Sequence, residues 1–138
     1  MIQLKIQTEN DIERRQTTTN SKYLAGLIGP SLVVITISET INAHIWATNI
    51  APTIHLNGAL LFVAGLAIVR AHNLWVRGWP IVVTLVGWVL MFLGSFRMFA
   101  PELFLKGVQS FGSAFIAPTM GILAVGVYLT FKAYWSRN

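Results

Sequence analysis

A chain of 138 residues is one domain by size, yet 54% of its residues are apolar and only 11% are charged, against roughly a quarter charged in soluble domains. That balance excludes a water-soluble fold and makes hydrocarbon the solvent for most of the chain. The formal charge of +5 is scattered over the ends of apolar segments, which reads as topology signals and anionic-lipid contacts and excludes a nucleic-acid patch; the absence of cysteine excludes disulfides, thiolate metal sites, iron–sulfur clusters, thiol nucleophiles and c-type haem attachment.

Residues 1–22 are mostly polar and read as a cytoplasmic tail. Ile2, Leu4 and Ile6 alternate with Gln3, Lys5 and Gln7 in a strand-like pattern, but a polar terminus of this kind is expected to be disordered. No cleavage site of small residues follows the first apolar run, so no secretory signal is expected, and Arg14-Arg15 lacks the rest of a twin-arginine motif.

Four apolar runs follow, at 23–41, 54–71, 80–100 and 112–134. At 1.5 Å per residue each covers about 27 Å or more, enough for the hydrocarbon core. Pro30 interrupts the first, and Ser38, Glu39, Thr40 and Asn42 make its far end polar. Pro80 stands at a helix start, where proline is tolerated, whereas Pro118 falls inside the fourth run and is expected to bend it. Between the third and fourth runs, Pro101, Glu102, Lys106 and Gly107 are ordered as the start and stop signals of one short surface helix.

Short connections make consecutive helices antiparallel neighbours. Eight of the ten Lys and Arg residues fall on one side: Lys5, Arg14, Arg15, Lys22, Arg70, Arg77, Lys132 and Arg137; Arg97 and Lys106 fall on the other. The positive-inside rule therefore places both termini in the cytoplasm. Tyr23, Trp75, Trp79, Tyr134 and Trp135 fit an inner aromatic belt, and Trp46, Phe99 and Phe104 an outer one. The expected architecture is all-α: a polytopic transmembrane four-helix bundle, up-down-up-down, over residues 23–135, with 136–138 as a cytoplasmic end.

Small residues mark helix-packing faces. Gly58 and Gly65 in the second run, and Gly87 and Gly94 in the third, are heptad-spaced and allow close backbone approach; Ser113, Ala117 and Gly121 in the fourth run, and Ala25 with Gly29 in the first, suggest the same.

Glu39 stands out, because a carboxylate inside a membrane helix is costly. Counted from Tyr23 it lies about 24 Å along its helix, and Arg97, counted from Pro80, lies about 26 Å along another that rises the same way. An ion pair between them is expected, with separate snorkelling to the headgroups as the alternative. Such a pair is a structural clamp or an ion or proton site. Asn42, His44, His55 and Asn57 gather at the same end and form its polar cluster. Glu39, His44 and His55 follow no metal-ligand spacing, so neither a metal nor another cofactor is expected. His72 reads as a polar cap at headgroup level, because no nucleophile or acid accompanies it.

The stretch from Leu56 to Trp75, with its His72-Asn73-x-Trp75 turn, and the following Trp79 to Trp88, with Thr84, Gly87 and Trp88, is similar to a group of small uncharacterised four-helix membrane proteins of bacteria. That resemblance covers the central hairpin, about a third of the chain, and implies a bacterial-type cytoplasmic (inner) membrane location without implying an activity. The residues themselves favour a non-enzymatic protein whose partners are the bilayer and other membrane subunits or further copies of itself. The alternative is a small ion- or proton-coupled transporter or channel with Glu39 as the protonatable site.

Overall fold

In hydrocarbon every backbone N–H and C=O must be satisfied within the segment, so long apolar runs fold as helices. The computed structural model describes residues 1–111 and 116–135; these form α1 (Ile2–Ile41), α2 (Ala43–Ala47), α3 (Ala51–Ala71), α4 (Pro80–Phe99), α5 (Pro101–Phe111) and α6 (Ile116–Tyr134). No strand occurs among the described residues. Three helices, α1, α3 and α4, are long and apolar enough to cross a membrane. Their surfaces agree, since Val34, Leu60, Val63 and Phe92 are each more than half exposed, a cost of burial forgone that a lipid environment removes.

The N-terminal expectation is corrected. Residues 2–22 are neither strand nor coil but the first half of a 40-residue helix. The apolar half supplies the costly nucleus, and each further residue then adds a hydrogen bond as it is fixed. The sequence permits it: no glycine or proline precedes Gly26, and Lys5 with Glu9, and Asp11 with Arg15, stand at the supportive i,i+4 spacing. Thr8, Thr18 and Thr19 return their hydroxyls to the carbonyls of Leu4, Arg14 and Arg15.

Pro30 does not end α1 either. It lacks the N–H that would bond the Gly26 carbonyl, and that carbonyl accepts from the Tyr134 hydroxyl of α6 at 3.1 Å. Pro118 falls in the first turn of α6 as described, where proline is tolerated. The short helix expected between the third and fourth runs exists as α5 but runs through Gly107 to Phe111.

The helices join as two antiparallel pairs, α3 with α4 and α1 with α6, with only small patches of contact between pairs, chiefly α1 against α4 and α4 against α6. Glycine sets the closeness within each pair. A Cβ on Gly65 would stand 2.4 Å from the Met91 amide nitrogen, and one on Gly94 would stand 2.4 Å from that of Phe62. Gly58 and Gly87 complete this seam, against Gly94 and Ile68 respectively. In the other pair Gly29 lies against Thr130 and Gly126.

The fourth-run stripe packs differently from expectation. Ala117 is exposed, nothing lies within 4 Å of a Cβ on Gly121, and Ser113, like Arg137, lies outside the described residues. The face of α6 that meets α1 carries Gly126, Leu129, Thr130 and Ala133 instead, one helical face away. All four long helices contribute to one small apolar core of Ala25, Ile28, Val83 and Leu129, flanked by Leu24, Ile68, Trp79 and Val125. Trp79, expected in an interfacial belt, is half-buried against this core.

Candidate functional site

Polar side chains gather at both ends of the helix pairs. At the Arg97 end, Gly58 lets α4 approach so closely that its missing Cβ would lie 2.8 Å from the Arg97 Cβ. Arg97 is thereby held beside Asn57, the residue before Gly58, and its Nη1 donates to the Asn57 Oδ1. The guanidinium also lies 4.3 Å from the centre of the Phe104 ring, a cation–π contact by which α5 is held over the end of α4. One residue further, the Met98 carbonyl in the last turn of α4 is a helix-end acceptor without an intrahelical donor. His55 supplies one through Nδ1 at 3.1 Å, so that nitrogen carries the hydrogen.

Glu39, half-buried on α1, and Arg97 lie within electrostatic reach of each other. Asn42 turns back on its own helix, its amide donating to the Ser38 carbonyl at 2.9 Å. His44 stands exposed on α2. The structure thus brings Glu39, Arg97, Asn57 and His55 to one end, where Arg97 with Asn57 and His55 with the Met98 carbonyl tie α3 to α4. Among the described residues no three His, Asp or Glu side chains converge as a metal site would require.

The opposite end holds a set that the sequence reading treated as ordinary polar text. His72 ends α3, its N–H closing the last turn on Ile68 at 2.7 Å, and an extended backbone then drives its ring inward. Ser21, His72 and Thr84 are all buried, at 0%, 2% and 0% exposure, so each polar atom must find a partner within the protein. Ser21 Oγ lies 2.7 Å from His72 Nε2, and Thr84 Oγ1 lies 3.0 Å from Nδ1. The Thr84 hydroxyl also accepts from the Leu74 N–H at 3.1 Å and has the Leu74 and His72 carbonyls at 3.1 and 3.3 Å. Its single hydrogen goes to a carbonyl, so Nδ1 is the donor to Thr84. In the neutral ring, Nε2 is then a bare lone pair facing the Ser21 hydroxyl, whose one hydrogen has the Thr17 carbonyl at 2.8 Å as its other acceptor. Burial pushes the His72 ring below its ordinary value of 6.5, with its own backbone hydrogen bond acting weakly the other way.

Asn20 adds a second link, its amide nitrogen 3.3 Å from the Ala71 carbonyl. These bonds join α1 to the end of α3 and the start of α4, across the thin boundary between the two pairs. The signal that could have found them is the presence of hydroxyl residues at 21 and 84 within otherwise apolar text, at the depth of a histidine that ends a helix.

No protein-family model matches the chain, and neither a curated protein nor a solved structure does.

Proposed function

We propose that the chain is a small non-enzymatic multi-pass protein of a bacterial-type inner membrane, with α6 as its fourth crossing and both termini in the cytoplasm. It acts there as an interaction subunit of a membrane complex or as a self-assembling bundle. The observation that carries this reading is the use made of its polar side chains: His72, Ser21, Thr84, Asn57, Arg97 and His55 are joined in contacts between helices. Such bonds specify how helices pair. Two surfaces are left for partners, the exposed first fifteen residues of α1 and the open face of α6 at Ala117 and Gly121.

Purification in mild detergent from the native membrane, with mass spectrometry of what co-elutes, tests this reading. Stoichiometric partners or a defined homo-oligomer are expected. A partner-free monomer would count against it.

A second reading, a small ion- or proton-coupled transporter, is favoured by one observation, the electrostatic proximity of half-buried Glu39 and Arg97 on different helix pairs. An intramembrane carboxylate between two bodies that share little surface is suited to a site that alternates. In reconstituted vesicles, Glu39→Gln would then abolish ion or proton flux and leave the folded protein intact.

A further inference from the structure

The two helix pairs share little surface, and at the His72 end their join combines the small apolar core of Ala25, Ile28, Val83 and Leu129 with a polar contact beside it. Ser21 and Asn20 of α1 meet His72 and the Ala71 carbonyl, which belong with α3 and α4. We infer that His72 is a proton-operated clasp between the pairs, closed while its ring is neutral and opened when Nε2 takes a proton. This goes beyond the proposed function and holds for an interaction subunit and a transporter alike.

Hydrogen bonding alone does not open the clasp. A proton on Nε2 consumes the lone pair that faces the Ser21 hydroxyl, whose hydrogen then goes to the Thr17 carbonyl, 2.8 Å away. Ser21 becomes the acceptor and Nε2 the donor. What the site lacks is countercharge, and a buried cation needs one.

Among the described residues, the surrounding elements supply none. On α1 the neighbouring ionisable groups are Lys22 and Tyr23; on α3 the nearest is Arg70; the connection to α4 carries Arg77; α6 brings Lys132 and Tyr134 to the same end. On α4 the nearest is Arg97, 13 residues from Thr84, about 20 Å along the helix. Of the five acids, Glu9, Asp11, Glu13, Glu39 and Glu102, the nearest along α1 is Glu13, eight residues from Ser21, or about 12 Å. Among the described residues, every ionised side chain close to the clasp at neutral pH is therefore a cation. Asn20, Asn73 and Trp75 beside the clasp are exposed, so the ring has a short way out of the protein. Release of the ring to water relieves the charge and parts Ser21 from His72 while the glycine seam keeps α3 on α4.

The absence of cysteine allows clean labelling of the full-length protein in lipid nanodiscs. Spin labels at Thr19→Cys and Arg77→Cys report across the pairs, and labels at Leu66→Cys and Val89→Cys report within the α3/α4 pair. Between about pH 8 and about pH 4.5, the cross-pair distance is expected to gain a second, longer population while the within-pair distance stays fixed. His72→Gln, neutral throughout, should show no such shift. If that variant does not fold, Ser21→Ala leaves the ring but removes the tie, and its cross-pair distance should be broad at both ends of the range. A wild-type cross-pair distance that ignores pH, or a shift that survives intact in His72→Gln or Ser21→Ala, overturns the clasp.

Discussion

The two helix pairs use the same device to different tightness. In α3/α4 the glycines face the partner's backbone: the missing Cβ atoms of Gly58, Gly65 and Gly94 would each lie within 2.4–2.8 Å of a backbone atom across the seam. In α1/α6 only Gly29 does so, whereas Gly126 faces the Leu32 Cβ and a Val33 methyl at 3.1 Å, and Gly121 faces open space. A hairpin closed by the short connection 72–79 is thus locked backbone to backbone. The pair assembled from opposite ends of the chain is less tight at Gly126, where the closest approaches are 3.1–3.2 Å.

The sharpest way to break this comparison is Gly94→Val. Its branched side chain would meet the Phe62 backbone, which cannot move aside without parting α3 from α4, and a loss of about 3 kcal/mol or more is expected. Thermal unfolding in detergent reads it, and a near-neutral result would mean that the seam is looser than drawn. Gly126→Ala probes the other pair, where Leu32 Cβ, a Val33 methyl and the Gly29 carbonyl stand at 3.1–3.2 Å and need give only a few tenths of an ångström; about 1 kcal/mol is expected in the same assay.

A smaller effect should come from acid. His72 titrates below 6.5 in the folded chain and near its ordinary value once unfolded, so between the two values the unfolded chain holds more protons. Stability contributed by the neutral ring is therefore complete above pH 6.5 and is lost as pH falls below it. A melting temperature that drops on acidification in the wild type, and drops less in His72→Gln, is the expected pattern. Least of all, Gly121→Ala should change stability by no more than about 0.5 kcal/mol. Gly121→Leu should leave the monomer equally stable, and a change in oligomeric state measured by light scattering would identify that face as an interface.

Much of the helical layout was legible because apolar runs state it directly: α1 ends at Ile41, α3 ends at Ala71 and α4 begins at Pro80, as the runs do. The α3/α4 seam was legible too, since heptad-spaced glycines in adjacent runs fall on facing sides. On α6 the same reasoning chose a different face, because Gly121 and Gly126 are five residues apart and spacing within one helix cannot say which side a partner takes. The helical N-terminal half was hidden because its local pattern is weak and its order comes from continuity with the apolar half. The His72 set was hidden for a different reason. Its members lie 51 and 12 residues from the histidine, and a lone serine or threonine in an apolar run looks like filler until the fold brings it to a ring nitrogen.

The length of α1 turns a small event at Ser21 into a large one elsewhere. The helix extends 19 residues beyond Ser21 to Ile2, about 28 Å, without a break at which motion could be lost. It is a rigid pointer whose pivot is the histidine contact. A tilt of about 10° there would sweep its tip by roughly 5 Å. That displacement is the width of a side chain, enough to engage or release another molecule at the far end of the helix.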